Sequence, residues 1–201
     1  MRKIKKKSLH KSIAIIGEGL TEWFYFESLR QTERFAFDIK PELPKRSDFR
    51  ELIKLARQKR EEGYDLVYIV LDMDRMVHNA SEKHTYINEK SKTKKNSGIY
   101  FIESMPCIEL WFLLHFLKTY SNRTYLNYEE IKPKLQKYYP GYNKTLKFFQ
   151  KTKLYDFLNK KGNESKAIEF ADRLMQDNEK NDNTYANYSE IGRLLVELRK
   201  K

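Results

Sequence analysis

Carboxylates recur in this chain where apolar runs stop. "IAIIGEGLTE" places Glu18 just beyond a β-branched run, with Glu22 four residues further on. "YIVLDMDR" ends a second run with Asp72 and Asp74, and "FIESMPCIEL" follows a third with Glu103, Ser104 and Glu109. Like charges gathered in one place raise each other's pKa, and a cation removes the conflict. Donor sets of oxygen alone suit Mg2+ or Mn2+ rather than zinc. Magnesium keeps waters and completes its shell with phosphate oxygens, so the chemistry such a set serves is phosphodiester cleavage, with one metal or a pair. Taken singly, each motif is more often structural, since a Glu in a helix's first turn already gains about 0.3–1 kcal/mol from the helix dipole. The argument rests on "GEGLTE" and "LDMD" occurring together.

To meet, these residues need elements that end on one rim. "SIAIIG" reads as a strand buried on both faces. "GLTEWFYFESLRQTE" has helical periodicity through Trp23, Phe26 and Leu29. "FAFDIKPEL" alternates as a second strand, and "SDFRELIKLARQKREEG" is a helix with Ser47 as its expected N-cap and Gly63 at its end. "YDLVYIVLDMD" is a third strand, Arg75 to Ser97 reads as a long loop, and "GIYFIES" is a fourth strand. "PCIELWFLLHFLKTY" is a helix with proline in its first turn. Alternation of this kind predicts an α/β fold with a mostly parallel sheet flanked by helices, and ligands of such sheets gather at the carboxyl ends of the strands. An extended Asp72-Met73-Asp74 would send both carboxylates to one side. A spacing of four would put Glu18 and Glu22 on one helical face. From residue 120 the pattern is helical with no comparable strand signal. The expected organisation is an α/β domain over 1–119 and an α-helical C-terminal extension, 120–201, packed on it.

Bulk properties narrow the function class. The 201 residues are 40% hydrophobic and 14% aromatic, enough aromatic content to argue for a folded chain. The net charge is +12, concentrated in "RKIKKK", "KSKTKK" and "KTLKFFQKTK". Such runs attract polyanions and make nucleic acid, DNA or RNA, the expected partner. A single cysteine, Cys107, excludes an internal disulfide. With no apolar stretch of membrane-spanning length, the expectation is a cytoplasmic protein with no membrane partner.

"IIGEGLTEWFYF", "YIVLDMDR" and "SMPCIELWFLLHF", in this order, resemble the RloB/AbiLii-type proteins of bacterial phage-defence loci. The first two motifs also resemble the Toprim (Rossmann-like) fold of topoisomerases, primases and OLD-family nucleases. "YPGYNK" and "NYSEIGRLLVEL" extend the resemblance over most of the chain. It implies a metal-dependent Toprim nuclease acting in abortive infection. Glu18 would be a metal ligand or general acid/base, Glu22 the second acid of an EGxxE form, and Asp72 and Asp74 the D-x-D ligands. Glu109 would be a further ligand, Ser104 a weaker match, and Lys144 of "YNK" a charge-stabilising lysine. OLD proteins carry an ATPase in the same chain. No G-x-x-x-x-G-K-[ST] occurs here, so the resemblance implies a separate AAA-type ATPase partner.

Two other readings fit parts of the sequence. "IVLDMDRMV" has the two aspartates of a haloacid-dehalogenase-like phosphatase, though on a later strand than expected. A non-catalytic or partner-activated nucleic-acid-binding subunit would carry the same positive charge. His78, His84 and Cys107 match no zinc spacing, and Cys107 and His115 read as structural. Trp23, Phe24 and Phe26 read as core, and Tyr138, Tyr139 and Tyr142 as residues that could stack on bases.

Overall fold

The computed structural model describes residues 11–41, 48–93, 97–181 and 186–200. The first basic run, part of the second, and Ser47 lie outside them. The β-branched run forms β1 (Ile13–Gly17), every residue of which is buried, and α1 (Leu20–Glu33) follows after two residues. β2 (Asp38–Lys40) and α2 (Phe49–Glu61) come next. Asp48 caps α2, its carboxylate accepting from the Arg50 N–H at 2.8 Å. β3 (Leu66–Asp72) leads into α3 (Asp74–His78) and α4 (Ala80–Lys92). β4 (Ile99–Met105) and a short α5 (Glu109–Leu114) complete the first part. The remainder supplies α6 (Tyr128–Tyr138), α7 (Leu146–Lys151), α8 (Leu154–Lys161) and α9 (Glu164–Asn181). It closes with β5 (Tyr188–Ser189) and α10 (Ile191–Arg199).

The strands form one sheet in the order β2-β1-β3-β4-β5. β1 to β4 are parallel and β5 runs antiparallel to β4. Strand periodicity sorts side chains between two cores. Ile13, Ile15, Tyr68 and Val70 face α1, α5 and the C-terminal helices, packing with Phe26, Leu29, Trp111 and Leu158. Ala14, Ile16, Val67 and Ile69 face Phe49, Leu52, Ile53 and Ala56 of α2, with Tyr86 of α4. Each fully buried side chain of this size contributes about 1.5–3 kcal/mol. These two faces, rather than the short β2 and β5 ladders, therefore hold the sheet.

Two expectations are corrected. Arg75 to Ser97 is not a loop: α3 and α4 occupy most of it. α4 buries only Tyr86, so it lacks the apolar stripe that periodicity detects. It is fixed instead by polar groups, with Asn79 Oδ1 accepting from the Glu82 N–H at 3.1 Å as N-cap. The C-terminal part also contains a strand. β5 has two residues, too few to show alternation, yet it pairs Ser189 with Ser104 and Tyr188 with Met105.

Candidate metal centre

α1 and α2 pack on opposite faces of the sheet beside β1. β1 has β2 on one side and β3 on the other, so the winding reverses between β1 and β3. A crevice opens at the carboxyl ends of strands at such a switch point. Here it is a cleft of about 550 Å3, lined by Glu18, Glu22, Asp72, Asp74, Tyr128 and Lys144.

Glycines let the first motif fold into this wall. A Cβ on Gly17 would come within 2.8 Å of Glu22 Cβ, closer than packing tolerates. The α1 start can therefore approach β1 only over a glycine. Gly19 is the N-cap, and its N–H donates to Glu22 Oε2 at 2.8 Å. Glu22 is only 3% exposed. Burial first, then the Glu18 and Glu109 carboxylates, push its pKa up to about 7, against the pull of Lys144. Glu18 lies before the helix rather than in it, so α1 itself does not set its position relative to Glu22. Its Oε2 accepts from the Asp72 N–H at 3.3 Å.

At the end of β3 the backbone is not extended. Met73 is helical (φ −99°, ψ −6°) and caps α3, so Asp72 ends a strand and Asp74 begins a helix. Both still line the cleft, but through this bend rather than through strand alternation. The bend is tied to β4: the Met73 and Asp74 N–H groups reach the Pro106 carbonyl at 3.1 and 3.0 Å. Asp72 Oδ1 accepts from the Ile108 N–H at 2.8 Å. Burial, then Glu22 and Glu109, raise the Asp72 carboxyl well above its usual range. Asp74 Oδ1 accepts from the Arg75 N–H at 2.6 Å.

Glu109 stands behind the cleft wall and is fully buried. Its Oε1 accepts from the Tyr142 hydroxyl at 2.7 Å and pairs with Lys144 Nζ at 2.9 Å, while Oε2 has no hydrogen-bond partner. Lys144 also lies 4.2 Å from the centre of the Tyr128 ring, an arrangement that favours the cation. Partial burial opposes its charge, but Glu109 and Asp72 outweigh that and raise its pKa. Lys144 thus carries positive charge from the helical part of the chain into a cluster of negative charge.

A family model described as RloB-like protein matches residues 13–198. The chain belongs to the RloB-like family. In this RloB-like protein the match takes in the sheet, the helical part and every residue of the cleft named above. Neither the curated proteins nor the solved structures give a significant match.

Not every residue singled out in the sequence joins the site. Glu103 turns to the α4 face, held by Tyr86, by Lys90 and by the Tyr188 hydroxyl at 3.0 Å from Oε2. Ser104 is buried against the Ser189 hydroxyl. Tyr139 and Tyr142 are buried and unable to stack on bases, while Tyr138 stacks on Phe116. His78 and His84 are exposed on α3 and α4. His115 is buried, with Nδ1 at 2.9 Å from the Trp111 carbonyl. Two residues acquire a place that their motifs did not announce. Tyr142 orients Glu109, and the Cys107 thiol sits against Asp72 and Glu109. The signal for Cys107 was its position two residues before Glu109 on a turn facing β3. Burial, then Glu109 and Asp72, push this thiol's pKa well up.

Proposed function

We propose that this RloB-like protein is a metal-dependent nuclease of Toprim type that hydrolyses phosphodiesters of DNA or RNA. The observation carrying this reading is the convergence of Glu18, Glu22, Asp72, Asp74 and Lys144 on one cleft at the switch point of the sheet. The donor set fits a hard divalent ion: the wall offers carboxylate oxygens, and burial first, then their mutual repulsion, already raises Glu22 and Asp72. Glu18, Asp72 and Asp74 would hold Mg2+ or Mn2+, with Glu22 and Glu109 supporting. Such an ion, when bound, supplies an activated water and charge stabilisation at the phosphate.

The chain's own groups account for the rest. The Ile108 N–H fixes one Asp72 oxygen and leaves the other directed by that bond. Glu18 lines the cleft, and as the alternative to holding the ion its carboxylate can accept a proton from an attacking water. Lys144, about a third exposed, offers positive charge where a phosphate would lie. α7 contributes Phe149 to the cleft wall, and Lys147 and Lys151 are exposed on the same helix. A role in phage defence, and an AAA-type ATPase as a separate partner, rest on the family resemblance.

Cleavage of a mixed DNA and RNA panel with Mg2+ or Mn2+, comparing wild type with Asp72→Ala, tests this. Metal-dependent cutting by wild type, lost in a folded variant, is the expected result. A folded wild type that binds nucleic acid and leaves it intact, with metal and ATPase present, would mean a binding subunit instead.

A further inference from the structure

Beside the oxygen donors of the cleft lies a sulfur. Among the described residues, Asp72, Cys107 and Glu109 bring a carboxylate oxygen, Sγ and a carboxylate oxygen within 4.8 Å of one another. No histidine is involved, and Cys107 is 1% exposed. The thiol comes from the turn between β4 and α5, which the Pro106 carbonyl and the Ile108 N–H bind to the end of β3.

A second observation points to a ligand in the same place. Glu109 is wholly buried, and its two oxygens are treated differently. Oε1 is held by Tyr142 and Lys144, whereas Oε2 has no nitrogen or oxygen partner, and the Cys107 thiol, a weak donor, is the further group bonded to this carboxylate. Leaving such a buried oxygen poorly satisfied is unfavourable, the more so when it is charged. A hydroxyl and an ammonium that orient one oxygen while the other stays open is the arrangement expected behind a metal-binding carboxylate.

We propose that Asp72, Cys107 and Glu109 form a three-donor site for a thiophilic divalent ion, Zn2+ foremost, which overlaps the proposed nuclease centre at Asp72 and Glu109 and differs from it by the thiolate. Thiolate separates this class from Mg2+, which takes oxygen donors. A tetrahedral ion with donors at about 2.0–2.3 Å sets them roughly 3.5 Å apart. Donors that lie within 4.8 Å of one another therefore need to close by at most roughly 1.3 Å on binding. Of the three donors, Asp72 also lines the cleft. The thiol gives its proton to solvent as the metal–sulfur bond forms. The ion shares Asp72 and Glu109 with the proposed nuclease centre, and its occupancy ties β3 to the turn before α5.

Because Cys107 is the single cysteine, any thiolate-to-metal charge-transfer band has one source. Co2+, a spectroscopic probe for zinc sites, is titrated into the folded chain under reducing conditions. The expected result is a near-ultraviolet charge-transfer band saturating at one ion per chain, persisting in excess Mg2+ and bleached by Zn2+. Cys107→Ser removes the band and weakens Co2+ binding by calorimetry roughly tenfold or more. Failure of wild type to bind Co2+, or binding without the band, overturns the proposal, and neither depends on the variant folding. Cleavage is read separately: a band without nuclease activity leaves this site standing, and activity without a band removes the site alone.

Discussion

Glu18 Oε2 lies 3.3 Å from the backbone nitrogen of Asp72, joining the end of β1 to the end of β3 by a carboxylate–amide hydrogen bond. Residues 54 apart in sequence thus share one edge of the cleft. The bond places a carboxylate where the switch point of the sheet would receive a ligand.

If Asp72 is a metal ligand, Asp72→Asn separates chemistry from architecture. Asparagine keeps an oxygen for the Ile108 N–H but offers a poorer ligand. Cleavage should fall by roughly 10^3-fold or more, on the order of 4 kcal/mol of barrier. The thermal midpoint without metal should stay the same or rise, because burial already penalises the Asp72 charge. Paired cleavage and melting measurements check this, and a variant that cuts normally would remove Asp72 from the centre.

The Lys144–Glu109 pair has one fully buried partner and one about a third exposed. Lys144→Met should destabilise the metal-free protein, at or below the low end of the roughly 3–5 kcal/mol seen when a buried pair loses one member. Adding Glu109→Gln should recover most of that loss, since no buried charge then lacks its counter-charge. Urea unfolding of the two single variants and the double variant gives the coupling directly.

Glu22 makes metal-free stability fall as pH rises. Its folded pKa of about 7 lies above the unfolded value of 4.5, so the folded state binds more protons in that window. Stability from this group is complete below 4.5 and is lost through 7, at most about 3 kcal/mol. His115 acts oppositely: its pKa is lowered to about 4 by burial, so its contribution is lost as pH falls from 6.5 toward 4. The difference between wild type and Glu22→Gln isolates the first effect. Melting at pH 5 and pH 8 should show the variant less affected by the change. Saturating divalent ion should reduce the wild-type slope.

Gly17→Ala tests the entry to α1. The new methyl group would meet Glu22 Cβ at 2.8 Å, an overpacking worth about 1–3 kcal/mol. Because the displaced residue is Glu22, metal affinity measured by calorimetry should drop along with the melting temperature. Unchanged affinity in a destabilised variant would show that Glu22 is not part of the metal site.

What could be read in the sequence followed how each residue is held. β1, α1, α2, β3 and β4 carry apolar periodicity because both sheet faces are covered, and their ends located the carboxylates. α4 escaped because a helix anchored by Tyr86, Lys90 and a cap has no stripe. β5 escaped because two residues have no period. The Met73 bend turns on one backbone torsion that no residue type in "LDMD" dictates. Glu103 and Glu109 look alike in "ESMPCIE", yet three polar side chains from α4 and β5 claim the first, and Tyr142 and Lys144 claim the second. Only tertiary contacts separate them.

The Ser104–Ser189 contact spans 85 positions, and everything from α5 to α9 lies on the loop it closes. That loop contains Tyr142 and Lys144. Parting β5 from β4 would release the loop's end and loosen the groups that neutralise Glu109. The amides of β4 and those of α6 to α8 should then exchange with solvent through shared openings, as one cooperative unit. Hydrogen exchange would register the cleft's electrostatics and the sheet's edge as the same event.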